Sequence, residues 1–267
     1  MNASTSTSAR RPAAAGGRRP LFARNVARGI HRLGHAHTNC YLVEEGTELT
    51  LVDALFPASW RHLERALESI GRRPSDVSAI VLTHAHFDHV GFAARAHRDL
   101  GMPVWVHDAD RRLAAHPYRY GRERTPFAYP FRYPGAVPLF ASMVKAGALM
   151  VQGVTDVATL PVSGVLDVPG RPSIVATPGH TNGHVSLHFG DRGAVVSGDA
   201  LVTLDPYKAS RGPQVIAGAA TANSQQALAS LTALEATGAQ VVLPGHGEPW
   251  REGVAGAVAL AREAGAS

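Results

Sequence analysis

The densest set of chemistry-bearing side chains is Thr83-His84-Ala85-His86-Phe87-Asp88-His89-Val90-Gly91, which places three imidazoles and a carboxylate in six consecutive positions. Residues two apart in an extended chain point the same way, so His84 and His86 can converge on one point. The turn that follows aims Asp88 and His89 elsewhere, so one loop can serve two neighbouring metal centres. Imidazole nitrogen and carboxylate oxygen without thiolate suit Zn²⁺ first, and Fe or Mn second. A lone histidine fits the reading of a surface loop with no role. Four ligand-type residues at this spacing do not.

The apolar run Ala79-Ile80-Val81-Leu82 predicts a buried strand before this loop, and the stretch from Val90 to Leu100 predicts a helix after it. Further strands are expected over 29–33, 39–43 and 48–53, with a turn at Glu44-Glu45-Gly46-Thr47. Ser59 is expected to cap a helix through Ile70. A strand at 104–107 follows, and Asp108 and Asp110 open the next helix. In the second half, strands are expected over 173–177, 185–189, 194–197 and 240–243. Asn223 caps a helix through Ala236, and a last helix runs over about 253–264. Pattern alone gives an α/β chain in layers.

The HxHxDH spacing resembles the signature of the metallo-β-lactamase superfamily, and its other pieces stand in the expected order. They are Asp53 in Leu51-Val52-Asp53, His180 in Thr177-Pro178-Gly179-His180, Asp199 in Ser197-Gly198-Asp199, and His246 in Pro244-Gly245-His246. Five motifs over roughly two hundred residues make a specific signal. The resemblance covers essentially residues 28–264 and implies an αββα four-layer sandwich. It further implies two Zn²⁺ per chain, with His84, His86 and His180 on the first, Asp88, His89 and His246 on the second, and Asp199 bridging. A hydroxide between the ions would attack a carbonyl, with Asp88 placed to guide the proton to the leaving group. Asp53 would orient a metal-bound imidazole, and His184 is expected to be structural, in the shell behind the ligands.

The 267 residues, 45% hydrophobic and 18% charged, fit one globular domain over 25–267. No run approaches the eighteen apolar residues of a membrane span, so a small-molecule substrate and no membrane are expected. The net charge of +5 is concentrated early: Arg10, Arg11, Arg18, Arg19, Arg24 and Arg28 precede the first acid, Glu44. Residues 1–24, rich in Ser, Ala, Gly, Pro and Arg, are expected to be a disordered basic tail, which argues against nucleic acid as a partner. The Arg pair lacks the apolar segment of a twin-arginine signal, so a cytoplasmic location is expected. Cys40, the single cysteine, reads as a buried thiol on a strand.

Between His116 and Gly153, seven of the fourteen Phe and Tyr residues interleave with five prolines. The prolines argue against regular elements there before Pro138. The segment is expected to be a lid or pocket wall, or alternatively a packing arm or homodimer contact. Tyr118, Phe127, Tyr129 and Phe131 are the candidate wall residues. Lactonases of the superfamily carry a Tyr three residues past the bridging Asp. Val202 stands there in this chain, leaving Tyr207 as a candidate substitute.

In the resemblance, an Asp rather than Cys at position 199 argues against β-lactam hydrolysis, and with only about twenty residues after His246 the glutathione-binding helical domain of glyoxalase II is not expected. The expected activity is cleavage of an ester, thioester or lactone of a small, partly apolar substrate. The alternatives are a mononuclear iron enzyme resembling persulfide dioxygenases, and a non-catalytic protein that keeps its metals for structure.

Overall fold

The structure, a computed structural model, describes residues 21–267. Most of the expected tail, residues 1–20, lies outside the described residues. Its last part does not fit a tail: Phe22–Ala27 forms strand β1. This is an edge strand, half exposed, so its sequence FARNVA lacks the apolar alternation of a buried strand.

Strands β2 (Ile30–His35), β3 (Thr38–Glu45) and β4 (Glu48–Val52) continue an antiparallel meander, and helix α1 spans Trp60–Ser69. Strand β5 (Val77–Val81) leads through α2 (Phe87–Val90) and α3 (Ala93–Leu100) to β6 (Val104–Val106) and α4 (Arg111–Ala115). The insertion holds α5 (Tyr129–Arg132) and α6 (Val137–Lys145), followed by β7 (Ala158–Thr159). A first sheet runs in the order β1-β2-β3-β4-β5-β6-β7, parallel from β4 onward. The second half supplies β8 (Gly164–Val165), β9 (Ser173–Ala176), β10 (Val185–Phe189), β11 (Ala194–Gly198), β12 (Val202–Leu204) and β13 (Arg211–Gln214). Helix α7 (Ser224–Glu235), β14 (Val241–Pro244) and α8 (Val254–Ala264) end the chain. The second sheet is ordered β14-β11-β10-β9-β8, and β12-β13 forms a separate ribbon.

Four layers follow from strand alternation. On β3, Cys40 and Leu42 face one way and pack with α1 and α3, while Tyr41 and Val43 face the other way. On β11, Ala194 and Val196 face the first sheet, while Val195 packs against Leu231 and Leu234 of α7 and Ala257 and Val258 of α8. Each sheet therefore buries both faces: helices outside, and between the sheets a core that includes Ile174, Leu187, Phe189 and Leu243. This is the expected αββα sandwich, as one domain.

Three local expectations differ. The helix predicted from Val90 is two pieces broken at Gly91 and Phe92, whose amides donate to Leu55 O and Ala54 O. A Cβ on Gly91 would lie 2.0 Å from Leu55 O, so this close backbone approach requires glycine. Ser59 does not cap α1; its hydroxyl lies 2.8 Å from His35 Nδ1 and accepts from Phe56 N. The prolines of the insertion start helices rather than forbid them, because Pro130 and Pro138 occupy first turns, where no amide is needed.

Candidate metal centre

Parallel pairing decides where the ligand-type residues meet. Strands β4 and β5 run parallel, so Asp53 and the His84–His89 loop leave the first sheet at the same edge. Strands β11 and β14 are also parallel, so Asp199 and His246 leave the second sheet together. Asn39 N donates to Gly245 O at 2.7 Å, and Thr38 bridges to His246, which joins the two edges. The loop after β9 brings His180 to the same place. Close approach fixes one residue type: a Cβ on Gly245 would lie 2.1 Å from Asp199 Oδ1.

The seven expected residues form three overlapping groups whose ligand atoms lie within 4.8 Å of one another: His84, His86 and His180; His84, His89 and Asp199; Asp88, His89 and His246. Asp199 Oδ2 is 3.8 Å from His84 Nε2, 3.5 Å from His180 Nε2 and 3.2 Å from His246 Nε2. Its Oδ1 is 3.5 Å from His89 Nε2, so this carboxylate stands between the two triads.

Whether such a group fits cations is tested by its unmatched atoms. His84 Nε2, His86 Nε2, His89 Nε2 and Asp199 Oδ1 are buried without a hydrogen-bond partner among the described residues. Leaving buried polar atoms unsatisfied costs about 1–3 kcal/mol each, and divalent cations with nitrogen and oxygen ligands would satisfy a set of this kind.

Electrostatics divides the imidazoles. Burial holds His84 and His180 well below the usual histidine range and His86 at about 3, which keeps their lone pairs free. Burial acts the same way on His89 and His246, but Asp199 and Asp88 outweigh it, raising His89 well above its ordinary value and His246 to about 10. The carboxylates respond in kind. Despite burial, His246 and His89 hold Asp199 well below the carboxylate range, and His89 and His246 lower Asp88.

Hydrogen bonds behind the ligands set the tautomers. Asp53 accepts from Thr83 N (2.8 Å) and Thr83 Oγ1 (2.9 Å), and lies 2.9 Å from His89 Nδ1. With its proton given to Asp53, Thr83 Oγ1 accepts from His84 Nδ1 at 3.0 Å, leaving Nε2 to face the centre. Thr221 repeats the device: its hydroxyl donates to Ile216 O and accepts from His180 Nδ1. His246 Nδ1 donates to His37 O. His86 is the exception, with Nδ1 placed 2.9 Å from His180 Nε2. His184 accepts from Asp199 N at 3.0 Å and lies 2.9 Å from Thr177 Oγ1, so it holds the Asp199 backbone.

Sequence reasoning missed Asp110. It is buried and accepts from Ala85 N, Thr181 Oγ1 and Gly183 N, tying the first metal loop to the His180 loop. The acidic pair at Asp108 and Asp110 stands out in the sequence only as a helix start. Its partners lie up to 73 positions away.

The cleft over the cluster is lined by Phe87, Tyr120, Phe140, Met143, Tyr207 and Ile216. Its volume of about 10 Å³ is on the order of one water. Tyr207 is among its lining residues. Tyr129 is buried behind, 5.9 Å from Tyr207, and Tyr118 stacks on Phe87 at 5.7 Å. Phe127 and Phe131 correct the expectation of a pocket wall: they are 82% and 90% exposed, because the one-turn helices turn them away from the core. Tyr120, Phe140 and Met143, which the sequence did not single out, wall the cleft instead.

With this geometry in place, comparison with known proteins is specific. The profile of the Metallo-beta-lactamase superfamily matches residues 33–246. The chain belongs to that superfamily. It is 28% identical over 236 residues to the Probable metallo-hydrolase YflN of Bacillus subtilis, covering 84% of this chain and 86% of that one. The metallo-beta-lactamase family protein TTHA1429 of Thermus thermophilus superposes with a TM-score of 0.63 at 27% identity, over 87% of this chain and 78% of its own. TTHA1623, solved in a di-iron-bound form, gives a TM-score of 0.56 at 26% identity, over 83% and 93%. Among the described residues no helix is long and apolar enough to cross a membrane.

Proposed function

We propose that this chain is a hydrolase with two divalent cations, Zn²⁺ before Fe or Mn, that cleaves an ester, thioester or lactone of a small, partly apolar substrate. The observation that carries the reading is the convergence of seven buried side chains from both sheets, with three imidazole nitrogens and a carboxylate oxygen left unmatched. The relative named a probable metallo-hydrolase supports hydrolysis. His84, His86 and His180 would hold the first ion and Asp88, His89 and His246 the second, with Asp199 available to both. When bound, such a pair lowers the pKa of a water toward about 7 and stabilises a developing oxyanion.

The chain's own residues do the rest. Asp88 lines the cleft beside His246, at 3.3 Å, where its carboxylate takes the proton released by the attacking water and passes it to the departing alkoxide or thiolate. Tyr120, Phe140, Met143 and Tyr207 exclude bulk water from the reacting bond. The Cys40 thiol does not compete as a nucleophile, since burial raises it well above its ordinary value.

Metal analysis of protein purified without added metal is expected to give two Zn per chain, and one Fe per chain would overturn the reading. Two Fe per chain would instead favour iron in the same dinuclear site, as in the di-iron-bound form of TTHA1623. Turnover of p-nitrophenyl esters, thioesters and lactones is expected to fall about 10²–10⁴-fold in Asp88→Ala. Full metal content without turnover of any of them would support a binding protein instead.

A further inference from the structure

The insertion has a second face that the metal centre does not use. Phe127 and Phe131 stand four apart on consecutive one-turn helices, 82% and 90% exposed. On α6, Val137, Ala141 and Val144 form an exposed apolar stripe at helical spacing, while Phe140 and Met143 on the opposite side wall the cleft. Solvent-facing apolar residues so concentrated mark an interaction surface.

We propose that this outer face docks on an anionic lipid bilayer. Charge chooses the partner. The segment 116–153 carries Arg119, Arg122, Arg124, Arg132 and Lys145 against the single acid Glu123, five positive and one negative, or +4 net. Glu123 is committed elsewhere, accepting from Ser224 N and Ser224 Oγ. Arg132 lies over the ring of Tyr133 and pairs with no carboxylate among the described residues. Exposed Arg124 and Arg132 flank Phe127 and Phe131 along the chain, and basic residues beside protruding aromatics complement anionic headgroups over an acyl boundary. A second copy fits less well, because a two-fold contact sets a patch against itself and would oppose +4 to +4. Nor do the rings form a groove for a peptide, since Phe127 and Phe131 project outward from turns fixed by Pro126 and Pro130. The lack of a spanning helix among the described residues bears on crossing a bilayer, not on resting against one.

The test needs no turnover and so stands apart from the hydrolase reading. The full-length, metal-loaded chain is sedimented with phosphatidylcholine vesicles, with and without phosphatidylglycerol. Co-sedimentation is expected only with the anionic vesicles. Each Phe→Ser change should weaken it about tenfold or more, by removing the burial of one aromatic ring. Arg124→Gln with Arg132→Gln should weaken anionic binding while leaving melting temperature and metal content unchanged. Arg10, Arg11, Arg18 and Arg19 are retained in every variant, so equal binding by Phe127→Ser/Phe131→Ser and the parent would assign the affinity to them and overturn the proposal. Light scattering that shows a dimer dissolved by the same double change, without vesicle binding, would also overturn it.

Discussion

Four of the five imidazoles at the centre, His84, His89, His180 and His246, are aimed by the nitrogen each turns away. His84 and His180 use a threonine hydroxyl that has already given its proton to a third group, and His89 uses Asp53 directly. Such partners also raise the basicity of the facing nitrogen. Asp53→Ala is therefore expected to weaken metal binding about 10–100-fold, read as loss of stoichiometry on dialysis against a weak chelator. The loss should fall first on the ion held by His89. Asp53 also occupies the left-handed region, with φ of 64°, where Asp is better tolerated than most residues. This turn sends its carboxylate across to Thr83 and His89.

At the scale of elements, the site depends on loops held in register by residues outside the ligand set. Asp110 accepts three hydrogen bonds that span the His84–His86 loop and the loop of His180. Asp110→Ala leaves two buried amides without an acceptor, at about 1–3 kcal/mol each. It should lower the melting temperature and release the ion of His84, His86 and His180 before that of Asp88, His89 and His246. Cobalt substitution, followed by absorption spectra during chelation, distinguishes the two. Gly91 contributes through its missing side chain, which lets the break between α2 and α3 press against Leu55 O. Gly91→Ala forces backbone apart and should cost at least about 1–3 kcal/mol, measured by chemical denaturation.

Across the whole molecule, the centre sits where the two sheets join, with ligands from β5, β9, β11 and β14 ends. Cations bound there would act as a clasp between the halves. Chelation should lower the melting temperature, and the stabilisation on adding Zn²⁺ back should reach about 2.7 kcal/mol at a hundredfold excess over the dissociation constant. Calorimetry with and without chelator checks this, and an unchanged transition would mean that the halves are held by the inter-sheet core alone. That core is large: Tyr41, Leu187, Phe189 and Leu243 are all buried within it.

The sequence by itself picked out the seven side chains that the fold gathers and the layered class. Ligand chemistry is written in residue type and short spacing, as in His84-Ala85-His86, and sheet burial is written in alternation, as in Cys40 to Val43. Only the tertiary structure decided what Asp110, Thr221 and Phe140 do, because their partners come from distant loops that only the fold brings together. It also decided which way the insertion faces. Phe127 and Tyr120 read alike in a Pro- and Arg-rich stretch, and the chain path alone turns one to solvent and the other onto His86, ring to ring at 4.3 Å.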